Sequence, residues 1–150
     1  MTPAVRMSVA FLIIGTFGVT AWGAEAIAGS VKTALGASVV RRGAETLPIH
    51  EGMHLLVDDI LQTSADGRLG VIFQDGTRIS VGPGTEVKID RFLYEPAVGR
   101  FALLLRLARG VLTYVSGKIA KFSPQSVSVQ TPVGIVGLRG THFAVSVEGI

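Results

Sequence analysis

The sequence predicts an all-β domain: a flattened β-sandwich or β-roll of about ten short strands, with a short right-handed β-solenoid as the alternative. Apolar and polar residues alternate with a period of two, which is typical of half-buried strands. The pairs Asp66-Gly67, Asp75-Gly76 and Pro83-Gly84 follow one another at intervals of nine and eight residues. Such turns at such spacing indicate a meander or a coil of short strands. Apolar residues make up 48 % of the chain, which is enough for a core.

The first 26 residues are predicted to be an export signal. Arg6 supplies a positive charge, Met7–Ala24 supplies an apolar run, and Ala24–Ala26 supplies small residues for a signal peptidase. Cleavage would leave one domain over residues 27–150, located in the bacterial periplasm or at the cell surface. An uncleaved anchor is the alternative, because about eighteen apolar residues just span a bilayer. Only in that case do we expect contact with a membrane.

The strand pattern is clearest between Arg68 and Asp90. The segments RLGVIFQ, TRISV and TEVKID each alternate, and the Asp-Gly and Pro-Gly pairs separate them. One face of these predicted strands is apolar and consists of Leu69, Val71, Phe73, Ile79, Val81, Val87 and Ile89. Further along the chain, Val127–Thr131 and His142–Val147 alternate in the same way, with Phe143, Val145 and Val147 on one side. Pro132 is expected to end the first of these two strands.

The segment Arg100–Phe122 is compatible with two structures. Arg106 and Arg109 lie three residues apart beside leucines, which suits an amphipathic helix. A buried strand up to Arg109, a break at Gly110 and a second strand VLTYV are equally compatible. We favour the strands, with at most a short helical turn near Ser116–Ala120.

The glycines at 134, 137 and 140 raise the question of a phosphate-binding loop. Such a loop needs a helix after it, and the classical version needs a lysine. Here Gly140 is followed by THFAVSV, which alternates like a strand, and the lysine is missing. We therefore expect no nucleotide and no other cofactor, and we interpret the glycines as permitting a bulge or a close approach between strands.

Two long segments resemble the FecR domain family. SVSVQTPVGIVGLRGTHFAVSV (Ser126–Val147) resembles its closing motif, a Thr-Pro step, a glycine-punctuated strand and an Arg-Gly-Thr before the last strand. Gly52–Ile89 resembles its central part, and the resemblance extends roughly from Ser30 to the C-terminus. The motif residues carried by this likeness are Asp59, Thr63, Asp75, Gly76, Thr77, Thr131, Pro132, Arg139, Gly140 and Thr141.

The resemblance implies an extracytoplasmic, all-β regulator or interaction module. The expected function is non-catalytic binding of an envelope protein or an anionic envelope polymer. The alternative is a component of a transmembrane signalling system that acts with a separately encoded membrane protein. Only six residues precede the apolar run, so we do not expect the cytoplasmic sigma-factor-binding domain of the regulator that names the family.

The residues give little evidence for a metal site, an enzyme or nucleic-acid binding. His50, His54, Asp58 and Asp59 are too loosely spaced to indicate a metal site. The single Asp-Gly-Thr triplet cannot supply the two carboxylates of an aspartic protease, and no serine lies in a GxSxG elbow. We therefore expect no enzyme and no metal. Arg41-Arg42 is too small a cluster for a nucleic-acid footprint, so no nucleic-acid partner is expected.

Charge raises two further hypotheses. Arg139 lies among apolar residues, where a buried guanidinium would need a partner such as Asp58 or Asp59; the alternative is a solvent-facing arginine. Residues 27–95 carry a net charge of −2, from seven Lys/Arg and nine Asp/Glu, whereas residues 96–150 carry +5, from six Lys/Arg and one Glu. We expect the two halves to neutralise each other; the alternative is a basic face for an anionic envelope partner.

Overall fold

The part of the chain that the structure describes folds into a curled, open sheet of twelve strands with one short helix. The structure is a computed structural model that describes residues 27–137 and 142–148. The predicted all-β class is confirmed. The predicted export signal, residues 1–26, lies outside the described residues, as do Arg139, Gly140 and Thr141.

One half of the sheet, the β6 arm, is built from five strands and the second half of a sixth. In spatial order these are β4 (His54–Leu56), β1 (Ile27–Leu35), β6 (Arg68–Phe73), β7 (Arg78–Val81), the second half of β9 (Arg100–Val115) and β12 (His142–Val147). Neighbouring strands in this arm are all antiparallel.

The other half, the β8 arm, contains the first half of β9. Its strands in spatial order are β3 (Glu45–Pro48), β2 (Ser38–Arg42), β5 (Ile60–Thr63), β8 (Glu86–Glu95), β9, β10 (Val127–Thr131) and β11 (Gly134–Gly137). Helix α1 (Lys118–Phe122) follows β9, and short 3-10 turns lie at Pro96–Val98 and Pro124–Ser126. The β9–β10 pair is parallel, and the other pairs of this arm are antiparallel.

Strand β9 joins the two arms. Residues 100–109 pair with β8, whereas residues 110–115 pair with β7 and β12. The expected break at Gly110 is therefore wrong in one respect, because a single strand of 16 residues continues through it. The backbone does change there: Gly110 has φ of 97°, and the pairing partners change at this residue. The expected helical turn is found two residues later than predicted, at Lys118–Phe122.

The inner faces of the two arms share one core. Phe73 of β6 stacks on Phe92 of β8 with 5.6 Å between ring centroids, which places side chains from the two arms in contact. The predicted apolar faces are confirmed as buried: Leu69, Val71, Phe73, Ile79, Val81, Val87 and Ile89 are each at most 3 % exposed. The alternating side of β12 (Phe143, Val145 and Val147) is partly buried against the same core.

The sheet differs from the sequence-based expectation in two details. The described residues form twelve strands rather than about ten, and β9 is not short. The solenoid alternative does not hold, because a solenoid stacks its strands in parallel, whereas one described pair, β9–β10, is parallel and the rest are antiparallel. Asp-Gly and Pro-Gly turns favour the antiparallel arrangement, since they reverse the chain within a few residues.

Gly110→Ala is expected to destabilise the domain by about 2–5 kcal/mol, because it adds left-handed backbone strain and overpacking. A Cβ atom at Gly110 would lie 2.1 Å from the Thr85 Oγ1 and 2.5 Å from the Thr85 Cα. Urea unfolding followed by circular dichroism measures the loss.

Gly99→Ala is the matched control for this substitution. Gly99 also has positive φ, 66°, but nothing lies within 4 Å of the added Cβ. It should lose only the strain of about 1–2 kcal/mol. Equal losses for the two variants would show that the contact with Thr85 does not constrain β9.

Candidate functional site

Asp59, the first predicted motif residue, is the buried member of an ion pair with the partly exposed Arg42. Its two carboxylate oxygens accept hydrogen bonds from Arg42 Nε at 2.9 Å and Arg42 Nη2 at 2.7 Å. The backbone N–H of Leu56 also donates to Asp59, and Arg42 Nη2 donates to the carbonyl of His54. Asp59 is 1 % exposed, so this bidentate pair compensates for the desolvation of its charge. The pair connects β2 to the turn before β5.

Thr63 and Thr85 form a second buried polar cluster. The Thr63 hydroxyl donates to the carbonyl of Gly82 at 2.6 Å and accepts from the N–H of Thr85 at 2.9 Å. The Thr85 hydroxyl in turn accepts from the N–H of Val111 at 3.0 Å. These bonds connect β5, the turn after β7 and the middle of β9. Because Thr85 occupies the space beside Gly110, only a glycine fits there.

The Asp75-Gly76-Thr77 triplet is the turn between β6 and β7, as predicted. The N–H of Phe73 donates to the carbonyl of Thr77, and the N–H of Gly76 donates to the carbonyl of Phe73. Asp75 accepts from both the N–H and the hydroxyl of Thr77, at 3.0 and 2.7 Å. Gly76 has φ of 85°, which a glycine adopts without strain.

The same turn also anchors helix α1. The N–H of Ile119 donates to the Asp75 carboxylate at 3.1 Å, and the N–H of Lys118 donates to the Asp75 carbonyl at 2.9 Å. These are unpaired N–H groups of the first helical turn, so Asp75 acts as a cap from 44 residues away. Gly117 makes the close approach possible, because a Cβ there would lie 2.2 Å from the Thr77 nitrogen.

Tyr114 lies beside this turn and is fully buried. Burial raises the pKa of its phenol above the ordinary value, and the neighbouring Asp75 charge acts in the same direction. The hydroxyls of Ser116 and Thr77 partly oppose the rise in this pKa. The phenol is therefore neutral at physiological pH and serves the core, where its ring stacks on Phe143 at 4.8 Å.

Thr131 and Pro132 shape the tip of the β10–β11 hairpin. β10 ends at Thr131, as predicted from the following proline. The Thr131 hydroxyl donates to the carbonyl of Gly134 at 3.0 Å and accepts from the N–H of Val133 at 3.4 Å. This tip leaves Val133 93 % exposed and Ile135 68 % exposed. Among the described strands, β11 pairs only with β10, so its other edge carries backbone groups with no described strand partner.

The other strands with a single partner offer less to a binding partner. β3 carries Glu45 and Pro48, both of which protect an edge, and β4 has only three residues. β12 is longer, but its apolar side chains are partly buried in the core. The β11 edge is thus the one where, within the described ranges, exposed apolar side chains and free backbone groups coincide.

The outer face of the β6 arm carries a second candidate surface. A groove of about 460 Å³ is lined by Thr33, Arg68, Gly70, Ser80, Val111 and Thr113, among others. A depression of about 260 Å³ next to it shares Gly70 and Ser80 and adds Lys32 and Arg78. The two together are called the outer groove below.

Both buried carboxylates are engaged by groups of the fold. Asp59 is occupied by Arg42 and Leu56, and Asp75 by Thr77 and Ile119. Within residues 27–137 and 142–148, no three His, Asp or Glu side chains come together as a possible metal site. Asp59, one of the two partners suggested for Arg139, pairs with Arg42. Arg139 lies outside the described residues, so its pairing with Asp58 or Asp59 stays a prediction. Asp58 is exposed and lies 3.8 Å from Lys88.

The fold and these clusters define a β-sheet domain whose motif residues connect distant turns. A sequence model described as FecR protein matches residues 59–149, more than half of the chain. The chain belongs to the FecR family, as its motifs predicted. The family is one of signalling and regulatory domains rather than of known enzymes. No curated protein and no solved structure matches the chain.

The strands inside the family match are neighbours in the sheet, and the strands that precede the match lie beside them. The matched residues contain β5 to β12, which form a contiguous part of the sheet around β9. Strands β1 to β4 lie before the match and add to its two ends, β2 and β3 at one and β1 and β4 at the other. Where the structure describes the chain, no helix has the length and apolarity required to cross a membrane.

Sequence reasoning missed Arg42, which it treated as one of two surface arginines. The alternation of side chains in a strand could have identified it, because residues two apart point to the same side. In β2, Arg42 lies two residues after the fully buried Val40. It also missed the contact between Asp75 and α1. No local pattern could have shown this contact, because its partners are 44 residues apart.

We expect Arg42→Ala to lower the free energy of unfolding by about 2–4 kcal/mol, because it leaves the Asp59 carboxylate buried without a counter-charge. Adding Asp59→Asn should recover part of this loss, since a neutral amide can still accept from Leu56 without burying a charge. Chemical denaturation of the single and double variants measures the coupling.

Arg106→Ala is the control, because the Arg106 side chain is 53 % exposed and pairs with Asp90 at 3.2 Å. It should cost at most about 1 kcal/mol. Equal losses for Arg42→Ala and Arg106→Ala, with no recovery in the double variant, would contradict a structural role for the Arg42–Asp59 pair.

Proposed function

We propose that this chain is a non-catalytic, extracytoplasmic module of the FecR family that binds a protein of the cell envelope along the free edge of β11. The observation that carries the proposal is the coincidence at one hairpin of unpaired backbone groups with exposed Val133 and Ile135. An extended segment of a partner can add to such an edge, where main-chain hydrogen bonds give affinity and side chains give specificity.

The shape of the hairpin supports this mode of binding. Gly134 and Gly137 are the first and last residues of β11, so neither end of this strand carries a side chain that could hinder an approaching segment. β11 carries no charged residue, and charges are the usual protection of an exposed edge. Val136 faces the other way and packs against the core, which fixes the register of the hairpin.

The non-catalytic character is supported by how the polar motif residues are used. Asp59, Thr63, Asp75 and Thr77 all donate to or accept from other parts of the fold. A catalytic group must instead face a cleft with a poised pKa. The signalling and regulatory character of the family favours a partner in a signalling system. A separately encoded membrane protein is therefore the candidate partner that we place first.

The extracytoplasmic location is supported by the sequence of the first 26 residues. We expect the chain in the envelope fraction to begin between about residue 24 and residue 29, because a signal peptidase inspects the small residues Ala24 and Ala26. Mass spectrometry of the intact protein measures the start. An unprocessed Met1 chain in the membrane fraction would contradict cleavage and indicate an anchored protein.

A photo-crosslinking residue in place of Ile135 tests the binding edge in intact cells. We expect it to capture one envelope protein, and we expect Val133→Glu to abolish the capture, because a charge at the tip opposes burial. The captured protein is identified by mass spectrometry. A separately encoded membrane protein would support the signalling role.

Val98 provides the matched control position. It is 65 % exposed, close to the 68 % of Ile135, but it lies in a 3-10 turn instead of a sheet edge. The same photo-crosslinker there should capture nothing specific. The same captured protein at both positions, no capture at Ile135, or capture of only a second copy of this chain would each overturn the proposal.

A further inference from the structure

We infer that the outer groove of the β6 arm binds an anionic glycan, meaning a chain of sugars that carry carboxylate groups. The groove crosses the strands, because its floor is formed by residues in register on neighbouring strands. Thr33 pairs with Gly70, Gly70 with Ser80, and Ser80 with Thr113. Four strands about 4.8 Å apart give the floor a length of roughly 14 Å.

Cationic side chains stand on both sides of this floor. Arg68 lies opposite Leu35 on one side, and Arg78 lies opposite Ile72 on the other. Arg78 pairs with Ile72, which lies four residues after Arg68 along β6. The two arginines are therefore about 13 Å apart in the direction of the strands. Lys32 adds a third cation at the β1 end. A ligand lying in the groove is therefore within reach of charge from both walls.

These cations have no carboxylate partner among the residues that the structure describes. None of Lys32, Arg68 and Arg78 forms an ion pair with a described residue. The strand segments of the β6 arm contain no Asp or Glu at all. Asp66, two residues before Arg68, is engaged with Ser64, whose hydroxyl lowers the pKa of the Asp66 carboxyl. The face thus has a positive charge that no described carboxylate neutralises and that an external anion can complement.

The floor of the groove supplies groups that match sugar hydroxyls. Thr33, Ser80 and Thr113 each present a hydroxyl, which can both donate and accept. Gly70 makes room for one of them, since a Cβ there would lie 2.5 Å from the Thr33 Oγ1. Leu35 and Val111, 64 % and 41 % exposed, add apolar contacts on one wall. Hydroxyls, guanidinium groups and small apolar patches together fit an acidic sugar chain.

Other anionic polymers fit this surface less well. No Phe, Tyr or Trp lines the groove, and binding of single-stranded nucleic acid depends on aromatic rings that stack on bases. An acidic peptide in extended form gains its main-chain hydrogen bonds at the edge of a sheet, not across its face. The groove lies on the β6 arm and the β11 edge on the β8 arm, so this inference does not depend on the protein partner proposed above.

Binding of oligogalacturonate to the purified domain, measured by calorimetry, tests the inference. We expect saturable binding that weakens with salt, at least about tenfold weaker for the double variant Arg68→Gln/Arg78→Gln, because charge-assisted hydrogen bonds are lost. Ser80→Val should weaken binding by roughly 2- to 10-fold, the range that one hydrogen bond contributes. Dextran of similar length, which has no carboxylates, should not bind.

Arg91→Gln/Arg100→Gln is the matched control, because it removes the same charge from exposed positions on the β8 arm. It should change the affinity by less than about twofold, since these charges are remote from the groove and screened. An equal loss in the control, equal affinity for polyglutamate, or tighter binding of single-stranded DNA would overturn the inference. Capture at position 135 should persist in the Arg68→Gln/Arg78→Gln variant, so failure of one proposal is distinguishable from failure of the other.

Discussion

The contact between Gly110 and Thr85 is the constraint on which both arms of the sheet depend. β9 is shared by the two arms, and its partners change at Gly110, where φ is 97°. Thr85 fills the space that any side chain at this position would need, and its hydroxyl bonds to the N–H of Val111. The left-handed conformation is open to glycine at little steric cost, which is why one residue can redirect a 16-residue strand without ending it.

The buried polar clusters show why a β-sheet family would be recognised by Asp, Thr and Gly rather than by its apolar residues. Apolar core positions accept many side chains of similar volume. A buried carboxylate or hydroxyl must instead find fixed partners, since an unsatisfied polar group costs more than a missing apolar contact. Asp59, Thr63 and Asp75 each connect two segments that are distant in sequence. They therefore specify which turn lies against which strand.

Local patterns in the sequence predicted the strands well and their partners poorly. Alternation identified the buried faces of β6, β7 and β8 because side-chain direction in a strand depends only on parity. The Asp75-Gly76 turn was equally readable, since its conformation is set within four residues. The partner of Asp59 was not, because either Arg42 or Arg139 could satisfy the same charge. The course of β9 was also missed, since continued pairing outweighed the glycine that locally suggests a break.

The distribution of charge illustrates the same limit and links it to binding. By sequence, the excess of positive charge lies in residues 96–150, at +5. Folding places Arg100, Arg106 and Arg109 on the β8 arm, where Arg106 pairs with Asp90. The outer groove takes its cations instead from Lys32, Arg68 and Arg78, which pair with no described carboxylate and lie in the half with a net charge of −2. Each arm takes strands from both halves of the chain, so a cationic face depends on which strands become neighbours and cannot be read from the order of charges along the sequence.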